Sequence, residues 1–358
     1  MASRSDLYIV DGHTDLPSRL LNSPADPRQR LEDGHLDLPR LREGGVSAFV
    51  AALYVPSSLT PEAGAERLVT QYEGLRRYLE PGGLEEVVTA EQVRRVVSIG
   101  AVGVLWAVEN GRPLGLSGVL EKVVGWGVRY VTATHLESHE WCDAAGADEI
   151  HRGLSDGGVR LVREMKRRGV LLDVSHASDD AVLHALDALR SPIIASHSCA
   201  RSLCDLPRNL SDSLGRDIAR WGGVVMVNSY PAFVSASAAE VYRRRLAKVT
   251  PWLSEDLSPA ELEARVAEVL EADPLPAVPL SSYVDHILHW VEVVGEEHVG
   301  LGTDFDGISE TLEGFEDVRR FPDLMTALRQ RGLPPAAIRG IAGENFLRVL
   351  AAAERISG

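Results

Sequence analysis

A chain of 358 residues, 45% hydrophobic and 25% charged, is long enough for one large α/β barrel or two ordinary domains, and its composition is that of a globular protein. A formal net charge of −15 argues against nucleic acid as a partner and leaves no basic patch for an anionic membrane surface. Three cysteines without a CxxC pair fit a reducing compartment. MASRSDLYIV lacks the features of a signal peptide, and no apolar run approaches the roughly 18 residues of a membrane span, so a cytoplasmic protein is expected.

Short apolar, β-branched runs recur along the chain. In order they are LYIVDGHTD (7–15), VSAFVAALYV (46–55), AVGVLWAVEN (101–110), VRYVTATH (128–135), GVLLDVSH (169–176), PIIASH (192–197), GGVVMVNSY (222–230) and HVGLGTDFDG (298–307). Between them lie amphipathic stretches such as AERLVTQYEGLRRYLE and SDGGVRLVREMKRRG, apolar at helical spacing. Strands alternating with helices imply parallel strands, and near-continuous apolar strands imply a sheet covered on both faces. Eight such units most simply close into a (β/α)8 TIM barrel, a single domain over 1–358. The alternative, a doubly wound open sheet, would need a phosphate loop after an early strand, and no GxGxxG or Walker-type loop is present. Between the seventh and eighth runs the chain is too long for one crossover, which predicts a helical insertion over about 231–280.

Active-site groups of such a barrel sit at the C-terminal ends of its strands. The first run ends in His13 and Asp15, the third in Glu109, the fourth in His135, the fifth in His176, the sixth in His197 and the eighth in Asp304 and Asp306. In a strand, residues i and i+2 point the same way, so His13 and Asp15 can grip one ion together. Four of eleven histidines closing predicted strands, with Asp and Glu beside them, point to a metal centre. Imidazole plus carboxylate without cysteine suits Zn, Mn, Fe or Co, with Zn the default for hydrolysis. His13, Asp15, Glu109, His176 and His197 exceed the three protein ligands of one catalytic zinc, and are better divided between two ions with Glu109 as a bridge. His35, His151, His184, His286, His289 and His298 are expected on exposed helices and loops without a role. HEWCD (139–143) resembles the start of HExxH, but Asp143 stands where the second histidine belongs.

DGHTDLP, VENG, RYVTATH, GVLLDVSHAS, PIIASHSCARSLCDLPRNLSD, VVMVNSY, VGLGTDFDG and GENFLRVL, in this order, resemble the membrane (renal) dipeptidases of the amidohydrolase superfamily over nearly the whole chain. The resemblance implies that His13 and Asp15 ligate a first zinc, His176 and His197 a second, and that Glu109 bridges them. It implies further that Asp304 handles protons, that His135 contacts the substrate carbonyl, and that Arg208 binds the terminal carboxylate of a dipeptide. Tyr230 falls near another substrate contact. The implied reaction is hydrolysis of a dipeptide amide bond, L-D as well as L-L, by a hydroxide bridging the metals, in a homodimer. The chain departs from the family at Asn110, where relatives often carry glycine, and in LESHEWCD after His135, where relatives are often Asn-rich; the latter bears on substrate preference. No C-terminal apolar tail of the lipid-anchor kind is present, so no membrane association is expected. The alternatives are hydrolysis of a β-lactam, lactone or N-acyl amino acid at the same centre, or a barrel that binds metal without catalysis.

Overall fold

The computed structural model describes residues 7–254 and 259–357. Residues 1–6 and 358 of the expected domain, and 255–258 of the expected helical segment, lie outside the described residues. The apolar runs form strands: β1 (Ile9–Thr14), β2 (Val46–Tyr54), β3 (Leu84–Glu86), β4 (Val102–Glu109), β5 (Val128–Thr132), β6 (Leu171–Asp173), β7 (Ile194–Ala195), β8 (Val224–Val227) and β9 (Val299–Leu301). All pair in parallel in the order β1-β2-β4-β5-β6-β7-β8-β9, with β3 beside the start of β4. The chain just beyond β9 returns to β1: Asp304 N donates to His13 O at 3.0 Å and Asp15 N to Phe305 O at 2.8 Å. These bonds and the parallel Thr14–Phe305 bridge bring the last strand to the first, so the sheet is a nearly closed (β/α)8 barrel rather than an open sheet.

Helices begin where the local chemistry lets them. Thr60 accepts from Ala63 N ahead of Pro61–Arg76, Thr89 and Gln92 form a reciprocal cap for Ala90–Ser98, and Ser178 caps Asp179–Leu189. Between β8 and β9 lie helices Pro231–Val234, Ala236–Val249, Pro259–Ala272 and Leu280–Val294. Among the described residues no helix is long and apolar enough to cross a membrane.

Two apolar clusters divide the strands by parity. Val104, Trp106 and Val108 of β4 join the helices in one, while Leu105 and Ala107 join Val10, Ala48, Val50, Leu171, Ile194, Val224 and Met226 in the other. The second cluster fills the barrel interior and is plugged by Phe346, Leu347 and Leu350 of helix Asn345–Ser357. Period-two alternation then turns Glu109, Asp173, Ser196 and Asn228 inward, at the C-terminal ends of their strands. Where strands approach closely only glycine fits: a Cβ on Gly302 would collide with the Ser196 carbonyl.

Candidate metal centre

The inward residues above the apolar floor are almost all polar. His13 is the fifth residue of β1, with Asp15 just past its end; Glu109 is the last residue of β4. His135, His176, His197 and Asp304 follow β5, β6, β7 and β9. Glu109 divides its carboxylate between two sets of histidines. Its Oε2 lies 3.5 Å from His13 Nε2, and its Oε1 lies 3.3 Å from His176 Nε2 and 3.4 Å from His197 Nε2. Asp15 Oδ2 is 3.6 Å from His13 Nε2, and the Nε2 atoms of His176 and His197 face each other at 3.0 Å. His13/Glu109/His197, Glu109/His135/His176 and His13/Asp15/Asp304 each bring ligand atoms within 4.8 Å of one another.

The chemistry of the donor set itself points to a cation. Among the described residues His13 Nε2 and His176 Nδ1 are buried without a hydrogen-bond partner. Burial pushes the Asp11 carboxyl up to about 7, and burial with the Glu109 charge raises Asp15. Asp304 is raised as well, by burial first. Glu109 alone of these acids stays well below the usual carboxylate range despite its burial, because the His13 charge and the nearby nitrogens of His176 and His197 favour its ionised form. Desolvated acids and unpartnered imidazole nitrogens in one pocket are relieved together by cations, and N/O donors without sulfur fit zinc. The residues fit the metal the sequence implied.

The backbone is bent to present them. His176 and Asp304 have φ of 68°, and Asn110, directly after Glu109, has φ of 65°. Left-handed conformations cost a non-glycine residue about 1 kcal/mol or more, and Asn, Asp and His tolerate them best. This explains the Asn110 departure: the residue supplies the turn a glycine would, and its Nδ2 donates to Val55 O at 2.9 Å.

Around the cluster stand the expected substrate-side residues. His135 is partly buried, its ring 4.4 Å from that of His176 and its Nδ1 3.5 Å from Tyr54 Oη; burial pushes its pKa down to about 4, so it is neutral. Arg208 is buried, donates to Ser198 Oγ and His197 O, and lies 5.2 Å over the Phe233 ring. Its Nε has no hydrogen-bond partner, and among the described residues it forms no ion pair. Tyr230 is less directly joined to the centre. Its ring meets Phe233 and Tyr242 edge-on, while its backbone N–H donates to Asn228 Oδ1.

Several residues of the site carried no assignment from sequence. Asn228 Nδ2 donates to Asp304 Oδ2 at 2.9 Å; it directly follows β8 and could have been found by the rule that found Glu109. Asp11 of β1 accepts from Thr303 N and Oγ1 and so ties β1 to the turn carrying Asp304. Tyr54, the inward end of β2, was hidden by its aromatic character. The decoy helix motif is structural: His139 Nε2 donates to Ala133 O, and Glu140 pairs with Arg112. Of the six histidines left without a role only His184 is exposed as expected; His35, His151, His289 and His298 are half-buried and His286 is buried. His286 is buried between Ala200 N and Val234 O, and His35 exchanges hydrogen bonds with Asp306.

Residues 3–358 match the family model described as membrane dipeptidase, peptidase family M19. The chain is 32% identical over 336 residues to the dipeptidase tcpJ of Claviceps purpurea, covering 90% of this chain and 70% of that protein. In fold it is similar to the probable dipeptidase PvdM of Pseudomonas aeruginosa, with a TM-score of 0.86 at 24% identity over 99% of this chain and 97% of that one. It is also similar to a Rhodobacter sphaeroides metallopeptidase liganded with a phosphinate mimic of L-Ala-D-Ala, with a TM-score of 0.81 at 23% identity over 97% and 99%.

Proposed function

The chain belongs to the membrane dipeptidases, peptidase family M19, and is therefore a hydrolase of peptide bonds; from that premise we propose that it is a zinc dipeptidase whose centre holds two ions. His13 and Asp15 would hold one, His176 and His197 the other, and Glu109 would bridge them. The observation that carries this reading is the divided carboxylate of Glu109, with one oxygen toward His13 and the other toward His176 and His197. When bound, the metals supply Lewis-acid polarisation of the scissile carbonyl and acidify the attacking water.

The chain's own groups do the rest. Asp304, steadied by Asn228, takes a proton at its carboxylate from the attacking water and returns it to the leaving amine. Neutral His135 donates to the oxyanion that develops on the carbonyl. Arg208, a buried guanidinium with no carboxylate partner among the described residues, receives the C-terminal carboxylate and confines the enzyme to short substrates with a free C-terminus. Tyr230 lines the same side behind Phe233. Acceptance of a D-residue at the second position is part of the proposal, supported by the L-Ala-D-Ala mimic carried by the Rhodobacter relative. A homodimer of single barrel domains in the cytoplasm completes the reading, and three unpaired, buried cysteines support the reducing compartment.

A dipeptide library containing L-L and L-D pairs, assayed with metal content measured on the same sample, tests it. Turnover of dipeptides but not of their C-terminal amides, with zinc bound, is expected. Inertness of zinc-loaded protein toward the whole library, with turnover of a lactone, β-lactam or N-acyl amino acid, would replace the dipeptidase reading.

A further inference from the structure

Two hydroxyl groups sit directly beneath the histidines, and each has only one proton to give. Tyr130, wholly buried on β5, places its Oη 2.8 Å from Gly12 O and 2.8 Å from His13 Nδ1. A carbonyl only accepts, so the phenol proton goes to Gly12 O and the phenol oxygen accepts from His13. The proton of His13 is thereby placed on Nδ1 and its lone pair on Nε2, the nitrogen facing Asp15 and Glu109.

Ser196 repeats this on the other side with different parts. Its Oγ is 2.6 Å from Asp173 Oδ2 and 2.6 Å from His197 Nδ1. Asp173 is buried and accepts from four donors: Ser196 Oγ and Thr132 Oγ1 at Oδ2, Ser175 N and Ser196 N at Oδ1. Both oxygens of Asp173 are thus engaged as acceptors. Ser196 therefore donates to Asp173 and accepts from His197 Nδ1, which leaves the His197 Nε2 lone pair facing Glu109 and His176. The approach of Ser196 Oγ to His13 Nδ1 is 3.4 Å, long beside the 2.8 Å bond to Tyr130, so Tyr130 is the main partner of His13 Nδ1 although the two hydroxyls are neighbours. His176 has neither device: among the described residues its Nδ1 is unpartnered, and its backbone is left-handed.

We propose that Tyr130 and the Ser196–Asp173 pair are positioning residues that fix the proton of one metal-binding histidine each, so that each relay sets the affinity of a different ion. Hydrogen bonds behind a ligating histidine fix its tautomer and ring and raise its basicity, and losing one typically costs roughly 10- to 100-fold in metal affinity. The inference rests on the two-zinc reading above and adds to it an assignment of control: Tyr130 for the His13–Asp15 ion, Ser196 and Asp173 for the His176–His197 ion. All three are fully buried.

Full-length wild type, Tyr130→Phe, Ser196→Ala and Thr132→Val are titrated with zinc against a chromophoric chelator, and histidine protons are followed by long-range 1H–15N spectra of the zinc-loaded proteins. Tyr130→Phe is expected to weaken one of the two zinc steps by roughly 10- to 100-fold and to expose the His13 Nδ1 proton to exchange. Ser196→Ala is expected to weaken the other step and to release only the His197 Nδ1 proton. Thr132→Val, which removes a donor from Asp173 without cutting the chain to His197, should leave both steps within about threefold. Folded variants with both steps at wild-type strength, or with the same step weakened in both, overturn the proposal. Should either variant fail to fold, the wild-type spectrum decides: a proton on Nε2 of His13 or His197 overturns the proposal, and one on Nδ1 of both supports it. Wild type that binds a single zinc defeats the two-ion reading separately, and the same Nδ1 signals still judge the relays.

Discussion

The floor of the barrel and its rim are built from opposite materials. The floor is Val10, Ala48, Val50, Leu105, Ala107, Leu171, Ile194, Val224 and Met226, closed below by Phe346, Leu347 and Leu350. On the same strands, a few residues further toward the C-terminal ends, the inward positions become His13, Glu109, Asp173, Ser196 and Asn228. Burial of apolar area stabilises the floor, whereas every buried acid and bent backbone residue of the rim costs free energy in the metal-free chain. Stability and chemistry are thus separated along each strand, and substitutions in the two layers should be told apart by what they change.

The largest effect is expected at the rim. Glu109→Gln should lower kcat/KM for dipeptides by about 10³-fold or more and strip bound zinc, with the circular dichroism of wild type. An unchanged zinc content would remove Glu109 from the bridging position. Leu347→Ala, a change in the floor at a fully buried side chain, should do the reverse. Chemical denaturation should show a loss of about 2–5 kcal/mol, with kcat/KM per folded molecule within about twofold of wild type. A large fall in kcat/KM at unchanged stability would break the separation of layers.

Arg208→Met probes the rim at the proposed carboxylate site. Free dipeptides should lose about 10²-fold in kcat/KM, while C-terminal amides, already poor, change by less than about threefold. Equal losses on both substrates would mean that Arg208 holds up the His197 segment through its bonds to Ser198 Oγ and His197 O rather than binding a carboxylate.

A smaller effect comes from a histidine outside both layers. His286 accepts from Ala200 N at 3.0 Å and donates to Val234 O at 2.9 Å, and burial pushes its pKa down to about 4. Its folded value lies below the ordinary 6.5, so the unfolded chain binds the extra proton, and stability falls as pH drops from about 6.5 toward 4. Between pH 7 and 5 this amounts to about 2 kcal/mol, and a His286→Gln variant should lack that part of the fall in urea unfolding. Parallel pH profiles for the two proteins would show that His286 is neutral-indifferent in the fold.

Parallel strands covered on both faces leave near-continuous apolar runs, which is why eight strands and the residues closing them were legible before any coordinates. The strand β3 was not, because Leu84–Glu86 offers one apolar residue and no run. PIIASH marked its place correctly, yet only Ile194–Ala195 holds strand geometry before the chain turns to present His197. His13, Glu109, His176 and His197 stood out because ionisable groups are rare at the ends of such runs. Tyr130, Asp173 and Ser196 lay hidden inside the runs, where a lone polar residue reads as an interruption; only the parity shared with Leu171 and Ile194 shows that they face inward. His286 was placed on a surface because helical periodicity says which face is apolar, not that a neighbouring loop will bury a polar group there.

The claim on which the rest depends is that one chain holds two zinc ions and that both are needed for peptide hydrolysis. Metal-stripped protein titrated with zinc, with bound metal and L-Ala-D-Ala and L-L dipeptide turnover read at each addition, measures it most directly. Two ions sharing Glu109 predict two equivalents per chain and full turnover only as the second is bound. Saturation at one equivalent with full activity, or two bound equivalents with no dipeptide cleaved, would contradict it.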